Sequence, residues 1–312
     1  MSYCILLPID FSSVTERQLD AAKLFSKSSE TELTLIHVVT PSNLLNPGRK
    51  QRAQEQIKEA RTQMDRIVRG LGADLKGLNS KVKGLVVEGD VLKKLQEEIE
   101  NQKPQILILG AHSHVGSFDF LFGSVAQQVV SKCTVPILAV PPEGPSLESV
   151  EQVTVGVDYS AEASELIDIA DQFAVQLGAR LYAAHSSAAA ELFQTGMYSS
   201  DLANESYDSV ISSAQSFLEE LVEKQAPKLR AWAMNSEVLT GHPTEALLDY
   251  CEENGPGVLV LGTRSHSPIY RATLGSFAGR IVREAKVPIL LVPFRNHKST
   301  QQPMAAFNPG RL

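Results

Sequence analysis

Two aspartates with matching neighbours are the first residues whose placement points to chemistry. Asp10, in Ile9-Asp10-Phe11-Ser12, and Asp158, in Val157-Asp158-Tyr159-Ser160, each close an apolar run. A carboxylate at the end of a parallel strand falls where ligands of open α/β sheets bind, although Asp followed by Ser is more often a helix N-cap. Farther along, Gly110 and Gly123-Ser124 recur as Gly262 and Gly275-Ser276. Glycine admits an anion close to the backbone, and a helix N-terminus offers unpaired N–H groups with a partial positive charge. Phosphate is the ligand chemistry these residues fit, while an ordinary cap is the plainer reading. His37 and His185 also end apolar runs and read as satisfied interior histidines rather than ligands. His112-Ser113-His114 lacks an evident third ligand, and alternate loop residues diverge, so no metal site is expected.

Catalytic signatures are missing. The chain has no Gly-x4-Gly-Lys-Ser/Thr loop, no Gly-x-Ser-x-Gly elbow and no Cys-x-x-Cys pair. The formal charge is −7, which argues against a nucleic-acid binder that must neutralise phosphates. Cys4, Cys133 and Cys251 share no short spacing and read as buried thiols in a reducing compartment. No apolar run approaches the roughly 18 residues of a membrane span. A cytoplasmic protein with no membrane partner is expected.

The elements that must position these residues occur twice. Residues 5–12 align with 153–160 at an offset of 148, and the register reaches His37/His185. Gly89/Gly241, Gly110/Gly262 and Val135-Pro136-Ile137-Leu138/Val287-Pro288-Ile289-Leu290 follow at an offset of 152. So many ordered matches indicate duplication. Within each copy, short apolar runs alternate with helical stretches. Ile106-Leu107-Ile108-Leu109 and Val258-Leu259-Val260-Leu261 are apolar at every position, as strands covered on both faces are. The pattern predicts α/β architecture: two doubly wound, five-stranded parallel sheets of strand order 3-2-1-4-5. The expected domains are residues 1–142 and 151–294, with a Pro/Gly linker at 143–150 and a mobile tail at 295–312. In such sheets ligands sit outside the carboxyl ends of the strands, where Asp10, Asp158, Gly110 and Gly262 fall.

An aspartate ending strand one, a Gly-x2-Gly-x9-Gly-Ser-like segment after strand four and a Val-Pro-Ile-Leu last strand together resemble universal stress protein domains. The resemblance covers nearly the whole chain, twice. It implies binding of ATP or another adenine nucleotide, with Mg as a companion ion, by a stress-response sensor or regulator. In ATP-binding members the strand-one aspartate and the residue after the strand-two histidine lie near adenine and ribose, and the glycine segment wraps ribose and phosphates. By position this implicates Asp10, Val38, Gly110, Gly123, Ser124 and Val125 in the first half. In the second it implicates Asp158, Gly262, Gly275, Ser276 and Phe277.

Both halves depart from the family pattern, with Ser113 and Ser265 where it has a second glycine. A serine there strains a left-handed backbone by about 1 kcal/mol, or donates its hydroxyl to phosphate. Arg264 and Arg271 lie in the second glycine segment, whereas the first has Asp119 opposite Arg271. Arginine binds phosphate in bidentate fashion, so the charge balance makes the second half the expected better site. The alternative is a universal stress scaffold that binds no nucleotide and works through protein contacts. No catalytic residue is expected, and slow ATP hydrolysis is the most this pattern would support. The family also pairs domains through their last strands, which would otherwise leave an apolar edge unpaired. Intramolecular pairing of the two halves is therefore expected, with a homodimer as a further partner arrangement.

Overall fold

The structure, a computed structural model, describes residues 2–28, 30–40, 49–111, 128–130, 132–144, 150–187, 200–231, 234–255, 257–263 and 276–294. The first half runs β1 (Tyr3–Pro8), α1 (Val14–Ser28), β2 (Thr31–Val39), α2 (Arg49–Asp74), β3 (Ser80–Glu88), α3 (Val91–Gln102), β4 (Ile106–Gly110) and β5 (Ile137–Val140). The second runs β6 (Gln152–Gly156), α4 (Ala163–Leu177), β7 (Arg180–Ser187), α5 (Ser200–Gln225), β8 (Met234–Thr240), α6 (Pro243–Glu253), β9 (Gly257–Gly262), α7 (Ser276–Glu284) and β10 (Ile289–Val292).

Local chemistry sets the boundaries. In α4, Leu166, Ile167, Ala170, Phe173 and Ala174 are buried, the spacing of one helical face. That helix ends at Gly178, whose φ of 67° suits glycine. Asp90 caps α3 by accepting from the Lys93 N–H at 2.9 Å. At the matching place His242 caps α6, accepting from the Thr244 N–H at 3.3 Å, with Pro243 opening the helix.

Each half has the expected strand order 3-2-1-4-5, with its five strands parallel. The expected division into two separate sheets needs correction. The strands form one ten-stranded sheet, β3-β2-β1-β4-β5-β10-β9-β6-β7-β8. At the seam β5 and β10 are antiparallel, with Leu138 opposite Leu290. Every residue of both strands is buried. An apolar edge of this kind would otherwise leave a row of N–H and C=O groups without partners.

The seam has a pseudo-twofold axis. Ile137 faces Leu291 and Ala139 faces Ile289, so repeat-equivalent residues exchange places, as at an isologous interface. Phe25 of α1 meets its counterpart Phe173 of α4, with ring centroids 5.8 Å apart. One core layer joins Ile5, Leu7, Phe25, Val153, Val155 and Phe173. The other joins Leu107, Ile137, Ala139, Leu259, Ile289 and Leu291 on the opposite face. Both layers therefore run through the two halves.

The chain leaving β5 is tied down. Arg17 of α1 donates from Nε to the Pro141 carbonyl at 2.8 Å and from a terminal nitrogen to that of Gly144 at 3.3 Å. Gly144 has φ 129°, and a Cβ there would fall on the backbone oxygen of Lys286 in the second half. Most of the expected linker (145–149) and the expected tail (295–312) lie outside the described residues.

Candidate functional site

The carboxyl ends of β1 and β2, and of their counterparts β6 and β7, are built alike. Asp10 is exposed just beyond β1, and its Oδ1 accepts from the Ser12 N–H at 3.0 Å. Asp158 repeats this with the Ser160 N–H, also at 3.0 Å. Each carboxylate closes a short turn and remains at the surface. The N-cap role weighed from sequence needs correction: each carboxylate instead closes a turn to the N–H two residues on, ahead of helices that begin only at Val14 and Ala163.

Both histidines are satisfied by the backbone, His185 buried and His37 half-buried. His37 Nδ1 bonds the Ile9 carbonyl at 2.8 Å, and His185 Nδ1 bonds that of Val157 at 2.9 Å. A carbonyl only accepts, so Nδ1 carries the proton in each ring. These bonds fasten β2 to the exit of β1, and β7 to the exit of β6.

Gly110 ends β4 and Gly262 ends β9. A Cβ at Gly110 would sit 2.9 Å from a methyl carbon of Val14, and one at Gly262 would sit 2.6 Å from the Phe294 ring. Their small size is therefore demanded by the protein's own packing, independently of any ligand.

A cavity of about 280 Å³ opens at the carboxyl end of β2. Phe11, His37, Val38 and Thr40 line one side of it, and Gln56, Glu59, Ala60 and Gln63 of α2 line the other. Phe11 and His37 are in ring contact, with centroids 4.3 Å apart. Phe11 has φ 61°, a backbone region costly for a bulky residue. Of the expected residues, Val38 is in this wall and Asp10 is next in sequence to Phe11.

The remaining wall residues were missed by sequence reasoning. Gln56, Glu59 and Gln63 share one helical face by spacing, but polar residues on a polar helix read as solvated surface. Only the approach of α2 to the end of β2 reveals their other role.

In the second half, Tyr159 and His185 repeat Phe11 and His37, with centroids 4.8 Å apart. Phe217 of α5 joins them, 4.3 Å from Tyr159 and 5.9 Å from His185. Ser186 stands at the position of Val38. Phe277 is 37% exposed at the start of α7, where the backbone of Ser276 opens the helix.

The other expected site residues, Ser113, Gly123, Ser124, Val125, Arg264, Ser265, Arg271 and Gly275, lie outside the described residues. So do His112 and His114. Among the described residues, no three His, Cys, Asp or Glu side chains form a group able to hold a metal ion. No described helix is long and apolar enough to cross a membrane.

Comparison with known proteins places this geometry. Residues 3–141 and 150–293 each match the universal stress protein family. The universal stress protein MJ0577 of Methanocaldococcus jannaschii is 27% identical over 154 residues, which are 44% of this chain and 93% of that protein. A universal stress protein from Archaeoglobus fulgidus has the same fold: TM-score 0.67 at 19% identity, over 93% of this chain and 96% of that one. A universal stress protein solved in complex with cAMP is 23% identical, covering 46% of this chain and 98% of that one, with a TM-score of 0.35. With both halves matched, this chain belongs to the universal stress protein family as a tandem pair of its domains.

Proposed function

We propose that this chain binds an adenine nucleotide as a sensor or regulator in a cytoplasmic stress response, with the base in the first half. The observation that carries this reading is the cavity at the end of β2. Its walls combine apolar surface from Phe11 and Val38 with the polar groups of His37, Gln56 and Gln63, the mixture small-ligand pockets use. At about 280 Å³ it is at the small end of ligand pockets. That suits a planar base, with ribose and phosphates lying outside.

Asp10 is beside the cavity wall in sequence and can accept from a ribose hydroxyl. Gly123, Ser124, Val125 and Ser113 are the proposed phosphate segment, with Mg as companion to a triphosphate. Charge alone favours the second half, where Arg264 and Arg271 belong to the corresponding segment together with Asp158, Gly262, Ser265, Gly275, Ser276 and Phe277. A base pocket is the additional requirement, and it supports the first half.

Hydrogen exchange of the intact chain tests the proposal, with and without saturating ATP and, separately, cAMP. Protection is expected in peptides covering residues 36–40 and 56–63. Protection confined to 184–187 and 262–277 would move the site to the second half. No protection and no thermal shift with either ligand would remove nucleotide binding. The second reading is a nucleotide-free scaffold. It is favoured by Gly110 and Gly262, whose size the protein's own packing explains.

A further inference from the structure

The two crevices differ at one decisive position. α2 and α5 turn the same face inward: Ala60 and Met64 are buried in one, Ala214 and Leu218 in the other. Matching those faces sets Phe217 at the place of Gln63. Gln63 lines the open cavity of the first half. The Phe217 ring lies against Tyr159 and His185, the counterparts of the two rings that line that cavity.

We infer that Phe217 is a built-in occupant of the second crevice, standing where a ligand's ring would stack, so that the chain takes one planar ligand and takes it in the first half. This rests on the reading that a nucleotide base enters the cavity beside Phe11 and His37. The three rings form a cluster with centroids at 4.3, 4.8 and 5.9 Å and tilted or edge-on planes, on whose outer side Tyr159 is 62% exposed. His185 is 6% exposed, whereas His37 lines open space. Phe217 packs against the main core, so it is anchored from behind. A base entering this crevice must first unseat a ring that already has aromatic partners. Gln63 offers no such competition, since an amide at a cavity wall can bond water or ligand equally.

Calorimetric titration of the full chain with ATP, paired with hydrogen exchange, tests this. Wild type is expected to bind one ATP, with protection at residues 36–40 and none at 184–187. Phe217→Gln, which installs the first half's side chain, should raise the stoichiometry to two and bring protection to 184–187. Gln63→Phe should weaken binding by about tenfold or more, because a phenyl ring overfills the cavity.

Two ATP per wild-type chain, or wild-type protection at 184–187, would overturn the inference while leaving nucleotide binding intact. No binding by wild type would remove the nucleotide reading and this inference with it. A folded Phe217→Gln that still binds one ATP would show that Phe217 is not the closing group. Should that variant fail to fold, Gln63→Phe decides, and unchanged affinity there would overturn the assignment.

Discussion

The two halves spend the same helix position on opposite charges. Lys23 in α1 and Asp171 in α4 are equivalent in the repeat. Each fastens its helix to the chain at or beyond the end of the following long helix. Lys23 does so at the surface, 2.8 Å from Asp74 and 3.3 Å from Asp20. Asp171 does so in the interior, at 4% exposure. It accepts from the backbone N–H of Arg230 at 3.0 and 3.1 Å and from that of Ala231 at 2.8 Å. The crevices diverge in a similar way: Gln63 leaves one open, while Phe217 joins the aromatic ring cluster in the other. Duplication preserved the sheet and its seam, where Leu138 meets its own counterpart Leu290 and the pairs on either side exchange places. Positions on the outward helices were free to change charge and size.

That comparison can be broken at several points, and the seam should give the largest effect. Gly144→Ala combines a left-handed φ with overlap on the Lys286 carbonyl. A loss of about 3 kcal/mol or more is expected, measured by urea unfolding. A neutral result would mean that the two halves are not held together at this point. Asp171→Ala leaves two backbone donors without their carboxylate and should cost about 2 kcal/mol.

Lys23→Ala should cost no more than about 0.5 kcal/mol, because its partners are half exposed and screened by solvent. Equal losses for these two variants would erase the distinction between buried and surface fastening. The Lys23 pair also has a pH signature. The bond to Asp74, opposed by burial and reinforced by Asp20, holds the ammonium above its ordinary value. Its contribution is therefore complete below about pH 10 and is lost as pH rises through the raised folded value. From neutral pH upward, the gap between wild type and Lys23→Ala should narrow only in that alkaline range.

The smallest effect concerns the thiols. Burial first, then the Glu252 charge, pushes Cys251 up to about 12. Cys4 and Cys133 are also raised by burial but are only half-buried. Iodoacetamide at pH 8 should label Cys4 and Cys133 before Cys251, since the thiolate is the reacting form. Faster labelling of Cys251 would indicate that the second half opens locally more readily than the first.

Much of the architecture was legible in sequence. Continuous apolarity in β4, β5, β9 and β10 means both faces are covered, and those strands are buried almost throughout. His37 and His185, read as satisfied interior groups, bond the Ile9 and Val157 carbonyls. The joining of two sheets into one was not legible, because an apolar strand does not say which strand it meets. The cavity was legible only at Val38 and, beside it, Asp10. Its other wall comes from α2, whose Gln56, Glu59 and Gln63 carry no sign in their types that they face a strand end.

The sequence by itself determined the duplication and the alternation of strand and helix, since both depend on residue type and local spacing. Tertiary structure alone decided that β5 meets β10, that Gly110 and Gly262 are small to admit Val14 and Phe294, and that Phe217 lies where Gln63 leaves room. Those outcomes depend on which surfaces approach in space across many residues of chain, and pairwise packing of that kind leaves no local pattern to read.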